Sequence, residues 1–186
     1  MSPQLGRPRN ASIDAALAAA MLDELALSGY DGASLARVAA TAGTTRQALY
    51  RRFRSKADLA TAAISTLRRP EERTPTDAPR LDLERELEAF RSGVSRPNGM
   101  ALIGTMLQTG VDPELAHLFR ERIVQPRRSA LASILRRMAP AADERDVEHL
   151  VSMLTGSWYA YALAGRTPPG DWPARSADLA ARLLGS

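Results

Sequence analysis

Between Thr44 and Lys56 the chain carries Arg46, Arg51, Arg52, Arg54 and Lys56 with no acidic residue, and Thr45, Gln47 and Tyr50 are interleaved among them. Guanidinium and ammonium groups neutralise phosphates, while Arg and Gln side chains also match the hydrogen-bonding edges of guanine and adenine. Arg46 and Gln47 are therefore candidates to read base edges, and Tyr50, Arg52 and Lys56 to hold phosphates. Leu49 and Phe53 are the residues that would anchor the same segment to a core. Composition alone leaves a second reading open, a solvated helix face, because charge runs usually serve solubility.

The location of charge favours a polyanion. Residues 1–69 hold ten Arg or Lys against five Asp or Glu, net +5, whereas residues 70–186 hold fifteen against sixteen, net −1. A positive field confined to the first third is where a nucleic acid would dock. Other chemistries find few groups. Cysteine is absent, which closes thiolate catalysis and cysteine-ligated metal sites. His117 and His149 are the only histidines, and no nucleophile elbow, phosphate loop or HExxH motif occurs. No enzyme activity, metal or cofactor is expected. The start lacks the apolar run of a signal peptide and no later stretch approaches a membrane span, so a soluble, cytoplasmic protein is expected.

The elements that must position the basic segment read as helices throughout, since apolar residues recur at intervals of three and four rather than two. A first helix is expected from about Ala11 to Ser28, with Ile13, Leu17, Ala20, Met21 and Leu25 on one face and Gly29 supplying a left-handed stop. Tyr30-Asp31-Gly32 reads as a turn. Ser34 caps a short second helix to about Thr41, broken by Ala42-Gly43; Arg37 stands where a capping-box Glu would be. A third helix starts at Thr44 or Thr45, with Gln47 completing a capping-box pattern from Thr44. Ser55 with Asp58 starts a fourth, to about Arg69.

The proline-punctuated stretch PEERTPTDAP then marks a boundary. The organisation expected is a flexible basic arm at 1–10, a DNA-binding head at 11–69, a linker at 70–80 and a helical body at 81–186. In the body, helices are expected at about 81–95 and 99–109, from Asp112-Pro113 to before Pro140 with a kink or restart at Pro126, at 143–164, and at 174–184. The expected fold class is all-α: a small three- or four-helix head and a larger antiparallel helical body, about nine to ten helices in all.

Two short helices around a break at Gly43 form the helix-turn-helix pattern, whose second helix enters the major groove. The stretch GYDGASLARVAATAGTTRQALYRRFRSKADL resembles the DNA-binding domain of the TetR family of transcriptional regulators in Ala42-Gly43, Leu49-Tyr50, Phe53, Ser55-Lys56, Asp58 and Leu59. The resemblance implies that Ser34, Thr45, Tyr50, Arg52 and Lys56 contact phosphates and that Thr44, Arg46, Gln47 and Arg51 approach bases. Thr44 stands where the family usually has Val, and Gln47 where it often has a small residue, so the operator sequence of relatives does not transfer. Arg7-Pro8-Arg9 could follow the minor groove or serve as a solubilising tail.

The body is similar, more loosely, to one C-terminal class of the same family, in AspProGluLeu at 112–115, Pro126-Arg127-Arg128 and the helix from Asp143. The resemblance implies a homodimer paired through the last two helices, with Val147, Leu150, Leu154, Trp158, Leu179 and Leu183 at or beside the interface; the alternative for this stripe is intramolecular core. It also implies an effector pocket, for which Met100, Ile103, Met106, Leu107, Phe119, Ile123 and Met153 are candidates, with Gln108, Thr155 or Tyr159 as polar contacts. The function implied is a repressor released from a palindromic operator on double-stranded DNA by a small lipophilic or aromatic effector. The alternative is a helical sensor or dimerisation module without sequence-specific operator binding.

Overall fold

The computed structural model describes residues 11–67, 74–95, 103–104, 106 and 110–185. The expected arm at 1–10 and most of the expected helix at 99–109 lie outside the described residues. No strand occurs among those described, and the protein is all-α. It divides into two compact units, residues 1–66 with 101–118, and residues 67–100 with 119–186.

The first unit begins with α1 (Ala11–Gly32), interrupted at Gly29. Gly29 adopts φ 65°, the left-handed conformation a side chain resists, but the chain then makes one more helical turn through the residues expected as a plain turn. Next come α2 (Leu35–Thr41), α3 (Arg46–Tyr50) and α4 (Lys56–Ser65). Leu17, Met21 and Leu25 of α1 are buried with Val38 and Ala39 of α2, Leu49 of α3, and Leu59, Ala60, Ala63 and Ile64 of α4. The alanines of α4 keep it slender where it packs on α1. Short helices are marginal alone, and here each is held by its cap and by this shared core. The same unit contains α6 (Pro113–Phe119) up to Leu118, with Leu115 and Leu118 buried.

In the second unit α5 (Pro79–Val94) buries Leu83, Leu87, Phe90 and Val94, a clean helical period. It packs on α7 (Gln125–Met138), α8 (Glu144–Leu163) and α9 (Trp172–Leu183). Phe90, Trp158, Tyr159 and Trp172 form an aromatic cluster, with Trp158 and Trp172 edge-on at 5.1 Å and Phe90 edge-on to Tyr159 at 5.7 Å. The Trp172 indole N–H donates to Ser157 Oγ at 3.1 Å, so its polar edge is satisfied inside the cluster. Residues just before α5 are pinned as well: Asp82 accepts from Thr76 N at 2.9 Å and Thr76 Oγ1 at 2.8 Å, and Arg137 donates to Asp82 at 2.9 Å and to the Thr76 carbonyl.

Pro126 lies in the first turn of α7, where an α-helical segment restarts. A proline removes one N–H and crowds the carbonyl four residues earlier. The chain absorbs this by widening into a π turn over Arg120–Val124, where Gln125 N donates to the Arg120 carbonyl, five residues back. Secondary structure is therefore helical without interruption from Pro113 to Met138. Counted as continuous stretches, the described residues hold eight helices rather than nine to ten.

Candidate nucleic-acid interface

The turn between α2 and α3 fixes how the basic helix is presented. Gly43, at φ 64°, donates to the Ala40 carbonyl at 3.0 Å, and Thr44 N reaches back to the Ala39 carbonyl at 2.9 Å. This paired closure satisfies the last carbonyls of α2 and needs a left-handed residue at Gly43. Thr45, not Thr44, then caps α3, its Oγ1 accepting Ala48 N at 3.1 Å, and Gln47 is exposed to solvent instead of completing a box with Thr44. Because Thr45 Oγ1 accepts in the cap, its own proton is available to a phosphate.

On α3, Leu49 is completely buried, and this fixes which side faces outward. Thr45, Arg46, Gln47, Tyr50 and Arg51 are exposed, and Thr44 is half-buried. Arg46 lies over the Tyr50 ring at 5.9 Å, so the two exposed side chains one turn apart support each other. Arg54 is exposed beyond the helix, while Phe53 is half-buried beside the core. Asp58 accepts the Arg54 N–H at 2.9 Å and Ser55 Oγ accepts the Asp58 N–H at 3.0 Å, a reciprocal start for α4.

The remaining expected phosphate ligands are held by partners far away in sequence. Arg52 donates to Asp14 of α1 at 2.8 Å, and only 18% of its side chain is exposed, so it braces the segment against α1. Ser34 caps α2, its Oγ facing Arg37 N at 3.4 Å. The missing capping-box carboxylate comes from α1: Glu24 accepts the Ser34 N–H at 3.0 Å and the Arg37 guanidinium at 2.9 Å. The Arg37 guanidinium, followed by the Ser34 N–H, holds the Glu24 carboxyl below the usual carboxylate range. Lys56 donates to the Asp31 carbonyl at 3.2 Å, with its ammonium 4.5 Å from the centre of the Tyr30 ring. Tyr30 is buried and donates to Asp112 at 2.8 Å. Sequence reading missed Asp14, Glu24, Tyr30 and Asp112 as supports; an aromatic residue inside the small polar turn GYDG was the one available sign that this turn is packed.

The other expected site residues belong to both units. Val147, Leu150, Leu154 and Trp158 are buried within the chain itself, whereas Leu179 and Leu183 are 51% and 64% exposed. Met153 and Leu163 are also exposed on α8. Of the candidate effector residues, Ile103 and Met106 belong to the first unit and are half-buried, and Phe119, Ile123 and Met153 belong to the second, with Ile123 buried and Phe119 half-buried. Met100, Leu107 and Gln108 lie outside the described residues; Thr155 and Tyr159 are half-buried. No group of metal-ligating side chains occurs among the described residues, and no described helix is long and apolar enough to cross a membrane.

A capped two-helix turn that offers one exposed basic face beside a buried apolar one defines a helix-turn-helix DNA-binding protein. Residues 16–63 match the model of the bacterial regulatory proteins of the tetR family, and residues 73–180 match the tetracyclin repressor-like C-terminal domain. The chain belongs to the TetR family of DNA-binding transcriptional regulators. The TetR family transcription regulator SCO0332 is 27% identical, with 94% of this chain and 97% of that one covered and a TM-score of 0.61. A transcriptional regulator from Pseudomonas aeruginosa PAO1, 21% identical, shares the fold over 98% of this chain and 93% of that one at a TM-score of 0.66. A TetR-family regulator from Mesorhizobium loti MAFF303099, 16% identical, does so over 96% and 97% at 0.63. No match was found among curated protein sequences.

Proposed function

We propose that the protein is a homodimeric repressor that reads a palindromic operator with Arg46 and Gln47 and is released from it by a small lipophilic or aromatic effector. The observation that carries this reading is the exposed start of α3, where Thr45, Arg46 and Gln47 face solvent above a fully buried Leu49. Arg46 can pair with guanine O6 and N7 and Gln47 with adenine N6 and N7, while Thr44 and Arg51 flank them. Ser34, Thr45, Tyr50 and Lys56 supply phosphate contacts around this centre, and Arg52 contributes chiefly by fixing the segment to Asp14.

Each chain offers a single recognition helix, so a two-fold pair gives the spacing that palindromic half-sites require. Leu179 and Leu183, with Met153 and Leu163, are the large apolar side chains left open on α8 and α9, and a second copy is the partner proposed for them.

The test is a selection of the purified protein against randomised duplex DNA, followed by binding of the enriched sequence over a range of salt. An inverted repeat whose affinity falls steeply with salt is expected. Arg46→Ala and Tyr50→Ala are expected to abolish operator binding while leaving a folded dimer. Unchanged affinity in these variants would refute the assignment.

A further inference from the structure

Lys56 is the most constrained of the proposed phosphate ligands that keep their charge available. A lysine side chain is flexible, and its ammonium ordinarily samples many positions. Here it is held from two sides by one short turn, through the Tyr30 ring at 4.5 Å and the Asp31 carbonyl at 3.2 Å. The turn is the last helical turn of α1, set off from the rest of that helix by the left-handed break at Gly29.

Besides the local bond from Ala33 N to the Tyr30 carbonyl and that from Arg37 to the Gly32 carbonyl, the turn is tied down by a bond across 82 positions of sequence. The Tyr30 hydroxyl donates to Asp112 Oδ2 at 2.8 Å, while the other oxygen of the same carboxylate accepts Glu114 N at 2.9 Å and Leu115 N at 3.3 Å. One oxygen of Asp112 thus starts α6 and the other secures the aromatic ring on which Lys56 rests. The protonation states suit a permanent bond: burial, then the Asp112 carboxylate, push the Tyr30 hydroxyl well above its ordinary range, and the Tyr30 hydrogen bond holds the Asp112 carboxyl below its own. The nearby Lys56 charge favours the ionised carboxylate as well. All of these groups lie within the first unit.

We propose that Tyr30 and Asp112 are positioning residues for DNA binding, which fix the Lys56 ammonium in place before the phosphate arrives. The inference rests on the reading of Lys56 as a phosphate ligand given above. Its physical content is pre-organisation: ordering a long side chain in the free protein removes that cost from the binding step. Neither residue needs to touch DNA, and both act through Lys56.

The test uses the full chain and the duplex enriched by selection. Lys56→Ala is expected to weaken binding and to lower the salt slope by about one for each protomer. Tyr30→Phe keeps the ring and removes the hydroxyl, and Asp112→Ser keeps a capping oxygen for α6 while losing reach to Tyr30. Each is expected to reduce affinity roughly three- to tenfold in the wild-type background, with thermal melting confirming a folded protein. Neither should reduce it further once Lys56 is alanine, because the group they position is gone.

Equal losses in the presence and absence of Lys56 would show a general structural role and overturn the proposal, as would wild-type affinity in Tyr30→Phe. If the wild type enriches no duplex, or Lys56→Ala leaves affinity and salt slope intact, the phosphate assignment fails and this inference falls with it. If Lys56→Ala behaves as expected but the double variants are additive, the inference alone falls.

Discussion

Alanine placed at Gly43 and at Gly93 should move stability in opposite directions, for reasons that can be worked separately. Gly43 holds φ 64° and closes α2, and a methyl group there would meet no heavy atom within 4 Å. Its cost is therefore conformational rather than steric. Forcing a side-chain-bearing residue into the left-handed region costs about 1–2 kcal/mol, offset by a few tenths to about 1 kcal/mol from the stiffer unfolded chain. The net loss is about 1 kcal/mol, which for a chain of this size lowers Tm by about 2–4 °C. Gly93 lies one residue from the end of α5 with no positive φ, and a methyl group there is equally unobstructed. Alanine at this position should stabilise by about 0.5 kcal/mol, from the lower backbone entropy of the unfolded chain. Thermal unfolding followed by circular dichroism measures both. Gly43→Asn should lose less than Gly43→Ala, since asparagine visits the left-handed region more readily. A Gly43→Ala protein as stable as the wild type, or the same sign at both positions, would refute the backbone account of the turn.

Asp82 gives a pH-dependent expectation. Burial raises its pKa, but the Thr76 N–H, the Thr76 hydroxyl and Arg137 outweigh this, and the folded value lies below the unfolded one. Its contribution is present above the unfolded carboxylate range and is lost as pH falls through the folded value. Asp82→Asn should therefore lower Tm at neutral pH by a margin that narrows in acid, and a margin that widens in acid contradicts the network. Leu179→Glu and Leu183→Glu place charges where the single chain is already open, so each chain should remain folded while a dimer built on these side chains dissociates. Light scattering reads the mass, and a protein that stays dimeric moves the interface elsewhere.

The features legible in the sequence are those whose chemistry is local. Ser34, Ser55, Asp112 and Asp143 each accept an N–H from two or three residues downstream, and Gly29 and Gly43 each sit just where a helix must stop. A reader with only residue types can find these because cap and first turn are neighbours in the chain. The supports of the basic segment are different in kind. Glu24 completes the cap of Ser34 from ten positions upstream, Asp14 braces Arg52 across 38 positions, and Asp112 anchors Tyr30 across 82. Nothing in the spacing of charges announces such pairs. The stripe Val147, Leu150, Leu154 and Trp158 shows the same boundary, since an apolar period identifies a buried face without saying whose side chains bury it, and here they belong to the same chain. Pro126 marks the start of α7 as residue type alone suggests, but the π turn over Arg120–Val124 that leads into it has no signature in residue types.

The basic segment also shows why its specificity can change without cost to the fold. A helix as short as Arg46–Tyr50 has no stability of its own, so its place depends on Thr45 at the cap, Leu49 in the core and Arg52 on Asp14. These three positions are committed to structure, and Lys56 is committed to its turn. Arg46 and Gln47 project from the first turn of the helix into solvent, with the Tyr50 ring as the neighbour of Arg46. The side chains proposed to read bases are thus those with the fewest obligations to the fold. Exchanging Gln47, where this chain departs from the pattern it otherwise matches, should alter which base is preferred at one position of each half-site while leaving melting temperature and phosphate grip where they were. Such separation between residues that place the helix and residues that read from it lets one scaffold serve many operators.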